Sequence, residues 1–73
     1  MYKTPLANQI DAIIAPLGGI IKCEFAEEIN GDNYLSPTVE IDASNANQLL
    51  ACNRALLVAG YAINKNWAEF KRS

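Results

Sequence analysis

Carboxylates are the most concentrated reactive side chains in this sequence. Six of the eight acidic residues lie between positions 24 and 42, a stretch without lysine or arginine: Glu24, Glu27, Glu28, Asp32, Glu40 and Asp42. Clustered carboxylates can ligate a cation, work as general acid and base in a cleft, or dock a basic protein. The spacing is not that of a calcium-binding loop. We therefore interpret the cluster as a docking surface for a Lys/Arg-rich protein, with a solvated face that discourages edge aggregation as the alternative.

Other catalytic groups are sparse. The chain has no histidine, which is the commonest general base and metal ligand. Its two cysteines, Cys23 and Cys52, can form at most one bridge, and we expect both to be buried free thiols. Gly18 and Gly19 are too few for a phosphate-binding loop. The sequence predicts no catalytic residue, no metal site and no cofactor, and hence a protein that is not an enzyme.

Basic residues are concentrated after the acidic segment, in the C-terminal part of the sequence. Four of the six lie in the last twenty positions: Arg54, Lys65, Lys71 and Arg72. This polarity can steer a partner or orient two copies of the chain. An alternative function is a nucleic-acid-associated regulatory module that uses this tail, with Trp67 and Phe70 as stacking groups. The acidic segment repels phosphate, so direct nucleic-acid binding is the less favoured interpretation.

Length and composition favour a single small domain over residues 1–73 that associates with another chain. At 73 residues a single core is barely sufficient, and 51% hydrophobic residues exceed what so small a sphere can bury. Some of that apolar surface should be shared with a second copy or a partner. We recognise no signal peptide and no apolar run of about twenty residues. We expect a cytoplasmic protein, of the cell or of an infected host.

Two local patterns predict a helix and a β-hairpin. Thr4 and Pro5 suit the start of a helix over about residues 5 to 16, which Gly18 and Gly19 end. From Ile20 the period becomes two, and a turn at 30–33 leads to a second strand. The alternation predicts that one set of side chains on these two strands is buried and that the other set faces solvent. The predicted inward residues are Ile21, Cys23, Phe25, Leu35, Val39, Ile41 and Ala43, and the predicted outward ones include Glu24, Glu28, Glu40 and Asp42.

A second helix is predicted from an N-cap at Ser44, extending as far as Phe70 or broken near Gly60. One apolar stripe faces the hairpin: Leu49, Cys52, Leu56, Ile63, Trp67 and Phe70. A second, smaller face is the predicted dimer interface: Ala51, Ala55, Val58, Ala59 and Ala62. Small residues allow a second helix to approach closely, so a symmetric partner is the expected cover. The alternative dimer contact joins the hairpin edges of two copies into one four-stranded sheet.

The predicted fold class is α+β, in the order α-β-β-α, with one antiparallel hairpin packed on a short N-terminal and a long C-terminal helix in a homodimer. The predicted function is a small non-enzymatic protein-binding module. By analogy with anti-CRISPR proteins and other inhibitors from phages and mobile elements, it would inhibit a host or defence protein. A second alternative is an oligomer that sequesters a small polar ligand, since asparagines such as Asn53 can line a pocket.

Overall fold

The fold is an antiparallel sheet with two helices. The computed structural model describes residues 4–29, 33–64 and 68–72, with side chains except at 26–29 and 33–36. In chain order the elements are α1 (Pro5–Ile14), a 3₁₀ turn (Ala15–Leu17), β1 (Gly19–Ile29), β2 (Asn33–Ala43), α2 (Ala46–Val58), β3 (Tyr61–Ile63) and β4 (Glu69–Arg72). The predicted α+β class is confirmed. None of the helices in these ranges is long and apolar enough to cross a membrane.

Helix α1 begins where the sequence predicts. The Thr4 hydroxyl accepts a hydrogen bond from the Ala7 N–H at 3.1 Å, and Pro5 occupies the first turn, where its missing N–H costs nothing. Leu6, Ile10 and other apolar residues of one face are fully buried. Gly18 ends the segment in the left-handed region at φ 85°, a conformation that glycine adopts without strain.

The predicted hairpin of β1 and β2 is confirmed, but it is half of a larger sheet. The four strands lie in the order β1-β2-β4-β3, and each neighbouring pair is antiparallel. Strand β4 pairs with β2 from Thr38 to Glu40, and the Ile41 N–H donates to the Ala68 carbonyl at 2.7 Å just before β4 begins. The α-β-β-α order is therefore incomplete, because two further strands follow α2.

The prediction that the second helix extends to Phe70 is wrong, and so is its N-cap. Asn45 rather than Ser44 caps α2, accepting from the Gln48 N–H at 2.9 Å. The helix ends at Val58, and Gly60 at φ 101° turns the chain into β3, so the break considered near Gly60 is where it stops. Trp67 lies outside the described residues.

Both helices pack on the same face of the sheet. Val39 and Ile41 alternate along β2 and are fully buried, and the register places Phe70 beside Val39 and Ile21 beside Ile41. These side chains therefore share one face. The core cluster combines this face with both helices: Leu6, Ala7, Ile10, Ile14, Val39, Ile41, Cys52, Leu56 and Phe70. The opposite side, called the open face below, is covered by neither helix.

Candidate functional site: the open face of the sheet

A bulge at Lys22 decides which side chains of β1 reach the open face. Ile21 pairs with Ile41, but Cys23 pairs with Glu40. Between these two pairs β1 advances by two residues and β2 by only one, so Lys22 is an extra residue in β1. A bulge of this kind inverts the side-chain alternation of every residue that follows it. The prediction that Cys23 and Phe25 point into the core is therefore wrong. Both lie on the open face, Cys23 half-buried and Phe25 48% exposed.

A second irregularity lies further along the hairpin. Phe25 pairs with Thr38, whereas Glu27 pairs with Leu35. Between these two pairs β2 advances by three residues and β1 by two, so here the extra residue is in β2. Ser36 and Pro37 consequently lie opposite Ala26. Proline has no N–H to give to a ladder and is tolerated at such bulges. Pro37 thus lies where the regular pairing of β1 with β2 is interrupted.

The bulge at Lys22 also divides the predicted acidic cluster. Glu24 pairs with Val39 and so turns toward the helices, where its Oε1 accepts from the Thr4 N–H at 2.7 Å. Glu40 and Asp42 are on the open face. Glu27 and Glu28 lie in β1, with side chains outside the described part, and Asp32 lies outside it altogether. The structure therefore does not place Glu24 beside Glu40, as the uninterrupted alternation predicted.

Three rows of side chains cross the open face, with neighbouring strands about 4.8 Å apart. One row is Phe25, Thr38, Lys71 and Ala62; the next is Cys23, Glu40 and Glu69; the third is Ile20 and Asp42. The β1 side of this surface is largely apolar: Ile20 (57% exposed) and Phe25 (48% exposed) lie in the two outer rows, with Cys23 between them. The centre of the surface is polar. An apolar strip thus borders a set of carboxylates.

The middle row is a small network of polar groups. The Cys23 thiol donates to Glu40 Oε1 at 3.7 Å, while Lys22 Nζ lies 3.5 Å from Glu40 Oε2. Glu69 is 8% exposed and accepts from the Asn64 amide at 2.8 Å. Glu40 and Glu69 therefore already have side-chain partners within the chain. Asp42, whose Oδ1 accepts from the Ala43 N–H at 2.8 Å, is the most exposed of the three carboxylates described on this face.

Both cysteines are free thiols, in different surroundings. Cys52 is fully buried, as predicted, and its burial raises the pKa of its thiol. At Cys23, burial and then the charge and hydrogen bond of Glu40 raise the pKa, partly offset by Lys22. The raised pKa keeps the Cys23 thiol protonated at a pH where an ordinary cysteine has begun to ionise. Cys23 is thus a poor nucleophile despite its position on the open face.

Alkylation rates should show this control of Cys23. Only the thiolate reacts, so a raised pKa means slow reaction with iodoacetamide at mildly alkaline pH. Glu40→Gln removes the charge that disfavours the thiolate, and the pH at which Cys23 becomes reactive should fall. Mass spectrometry of the labelled peptide measures the rate, and Asp42→Asn is the control that should leave it nearly unchanged. Equal pH profiles for wild type and Glu40→Gln would contradict the effect of Glu40 on the pKa of the Cys23 thiol.

The basic tail is dispersed in the structure, and the predicted dimer face loses one member. Ala51, Ala55 and Val58 recur at helical spacing in α2 and Ala59 is its C-cap, whereas Ala62 lies in β3 on the open face. Lys71 is on the open face. Arg72 is on the other, where its guanidinium donates to Gln9 Oε1 at 3.1 Å. Lys65 lies outside the described residues.

Comparison with other proteins adds no identity, since no family, curated protein or solved structure matches the chain. Within the described residues, no group of three or more metal-ligating side chains is placed to hold an ion. On the open face, exposed large apolar groups lie close to charged ones. Sequence reasoning missed Ile20 and Phe25 as surface residues. Two adjacent isoleucines, Ile20 and Ile21, were the available signal, because neighbours in a strand face opposite sides.

Proposed function

We propose that the chain is a non-enzymatic protein-binding module that holds its target against the open face. The observation that carries this proposal is the exposure of Ile20 and Phe25 on a sheet face that neither helix covers. Large exposed apolar side chains rimmed by polar groups are typical of protein-interaction sites. Aromatic residues in such positions often supply a large share of the binding energy.

The charges of the same face favour a target with a basic surface. Glu40 and Asp42 lie next to the apolar strip, and Asp42 is exposed. Charges at the rim of an interface mainly accelerate association and select the partner. We propose a host or defence protein whose basic surface binds nucleic acid. By occupying that surface the module inhibits it, in the manner of small phage or mobile-element inhibitors such as anti-CRISPR proteins.

The contribution of charge can be tested by two matched reversals. Asp42→Lys puts a cation on the open face, and Asp11→Lys makes the same change on α1, on the far side of the sheet. Once a target has been isolated by affinity capture, its association rate should fall about tenfold with Asp42→Lys, more at low salt, and little with Asp11→Lys. Equal effects of the two reversals would contradict docking through the open face. A gain in binding with Asp42→Lys would point to an acidic target instead.

A further inference from the structure

Lys22 and Cys23 both meet Glu40 on the open face. Because Lys22 is the extra residue of the β1 bulge, two side chains of β1 lie opposite this one residue of β2. Cys23 Sγ is 3.7 Å from Glu40 Oε1, and Lys22 Nζ is 3.5 Å from Glu40 Oε2. Bulges are a common means of re-aiming side chains in a sheet. Here the bulge gives one carboxylate both a thiol donor and a cation from its own chain.

The two neighbours hold Glu40 differently. Cys23 is half-buried, and its short side chain donates from a fixed position in the strand. The side chain of Lys22 is 60% exposed and ends in an ammonium on a flexible stem. Its distance from Oε2 exceeds the roughly 2.7–2.9 Å of a strong charge-assisted hydrogen bond. Ion pairs this exposed add little to stability, so Lys22 can leave Glu40 without harm to the fold.

We propose that Lys22 is a displaceable internal competitor on the docking surface. In the free chain its ammonium occupies the Glu40 oxygen that a basic side chain of the target binds, and docking expels it. This role rests on the proposed docking of a basic target to the open face. The side chain of Glu40 is 28% exposed, so a cation from outside can reach Oε2 once the flexible lysine has moved.

Arginine is the target side chain best suited to replace Lys22. Its guanidinium is less strongly hydrated than an ammonium and presents several donors in a rigid fork, which can engage a carboxylate at two points. Asp42 lies two residues further along β2 on the same face, roughly 7 Å away. Its exposed charge adds negative potential that favours an incoming cation.

An internal competitor makes the open face selective. Expelling Lys22 is unfavourable for every partner, whereas the compensation depends on what takes its place. A basic side chain aligned with Glu40 restores the ion pair, and a neutral surface leaves Glu40 without a cation. Specificity is a difference between two affinities, so a cost that one class of partner recovers and another does not widens that difference.

Binding of a hexa-arginine peptide to the isotope-labelled whole chain, followed by NMR, tests the proposal. Lys22→Met removes the ammonium and keeps a long side chain. Lys71→Met is the matched control, because Lys71 is on the same face and forms no ion pair within the described residues. Affinity should rise about threefold more with Lys22→Met than with Lys71→Met, the size expected of an exposed ion pair. The shifts should be largest at Glu40, and Glu40→Gln should abolish the extra gain.

Cys23 reports on the same ion pair without any ligand. The charge of Lys22 partly offsets the raised pKa of the Cys23 thiol. Lys22→Met should therefore move alkylation of Cys23 by iodoacetamide to higher pH, whereas Lys71→Met should leave the profile nearly unchanged. Identical profiles for Lys22→Met and wild type would mean that Lys22 does not occupy Glu40 in solution, which overturns the proposal.

Two outcomes of the titration also overturn it. Equal gains for Lys22→Met and Lys71→Met would mean that net charge alone sets the affinity. Absence of hexa-arginine binding at Glu40 in every variant would mean that no outside cation replaces Lys22. Neither outcome touches the apolar contacts of the open face, which the peptide lacks and which Phe25→Ser tests separately against the captured target. If Lys22→Met alters the circular-dichroism spectrum, Lys22→Gln repeats both measurements.

Discussion

Replacing Gly19 by alanine is expected to lower the melting temperature by on the order of 10 °C. A Cβ at this position would lie 2.7 Å from Cys52 Sγ and 2.9 Å from Ile14 Cβ, closer than carbon and sulfur atoms can pack. Both neighbours are fully buried, so neither can move without disturbing α1 or α2. Overpacking of this kind costs about 1 to 3 kcal/mol. That is a large share of the roughly 4 to 11 kcal/mol that is typical for 73 residues.

A rescue experiment separates this clash from a general intolerance of substitution. Cys52→Ala removes the sulfur atom and should recover part of the stability lost in Gly19→Ala, since residues in contact show non-additive effects. Gly60→Ala is the control. Its Cβ meets nothing within 4 Å, and its cost arises from the positive φ of 101° alone, which Cys52→Ala cannot relieve. Thermal unfolding followed by circular dichroism measures the three single variants and the two double variants that combine each glycine substitution with Cys52→Ala. Strict additivity of Gly19→Ala and Cys52→Ala would contradict the packing described.

The N-terminal half of the fold was predictable because its signals are local. Thr4 and Pro5 mark the first turn of α1, and Gly18 ends the segment that follows α1 through its positive φ. These effects operate within a few residues of chain, so a sequence pattern captures them. The hairpin followed from the change of period at Ile20 and the turn residues before β2.

The helix predicted for the C-terminal third was wrong because two different structures can explain apolar residues that are seven positions apart. Ile63 and Phe70 would share one face of a long helix, and they are also direct partners when β3 and β4 fold back on each other. The alanine-rich sequence before them favours helix through propensity. Tertiary pairing decides otherwise: β4 gains a place between β2 and β3, where Phe70 is fully buried.

The sheet faces predicted for the side chains of β1 were wrong for a different reason. Alternation along a strand assigns faces correctly only while the register is unbroken. The extra residue at Lys22 has no strong local signature, yet it exchanges the faces of Cys23, Glu24 and Phe25. Of the predicted acidic face, Glu40 and Asp42 lie on the open face and Glu24 on the opposite one, while the side chains of Glu27, Glu28 and Asp32 are outside the described part of the chain. The protein-docking hypothesis stays a proposal, with different residues carrying it.

Phe25→Ser is expected to weaken binding to the target about thirtyfold, the loss of roughly 2 kcal/mol that follows truncation of an aromatic hot-spot residue. Phe25 is 48% exposed in the free chain, so the apolar surface it buries on docking is available without rearrangement. Serine is tolerated in an exposed strand position, and the fold should persist. The effect should appear mainly as faster dissociation, because contact residues chiefly determine the lifetime of a complex.

Affinity for the captured target, measured side by side for Phe25→Ser and Val58→Ser, tests docking through the open face most directly. Val58 is more exposed than Phe25, at 89%, but lies on α2, on the other side of the molecule. We expect a large loss of affinity for Phe25→Ser and wild-type affinity for Val58→Ser, with both variants folded. Wild-type affinity for Phe25→Ser together with a large loss for Val58→Ser would contradict it and assign the docking surface to α2.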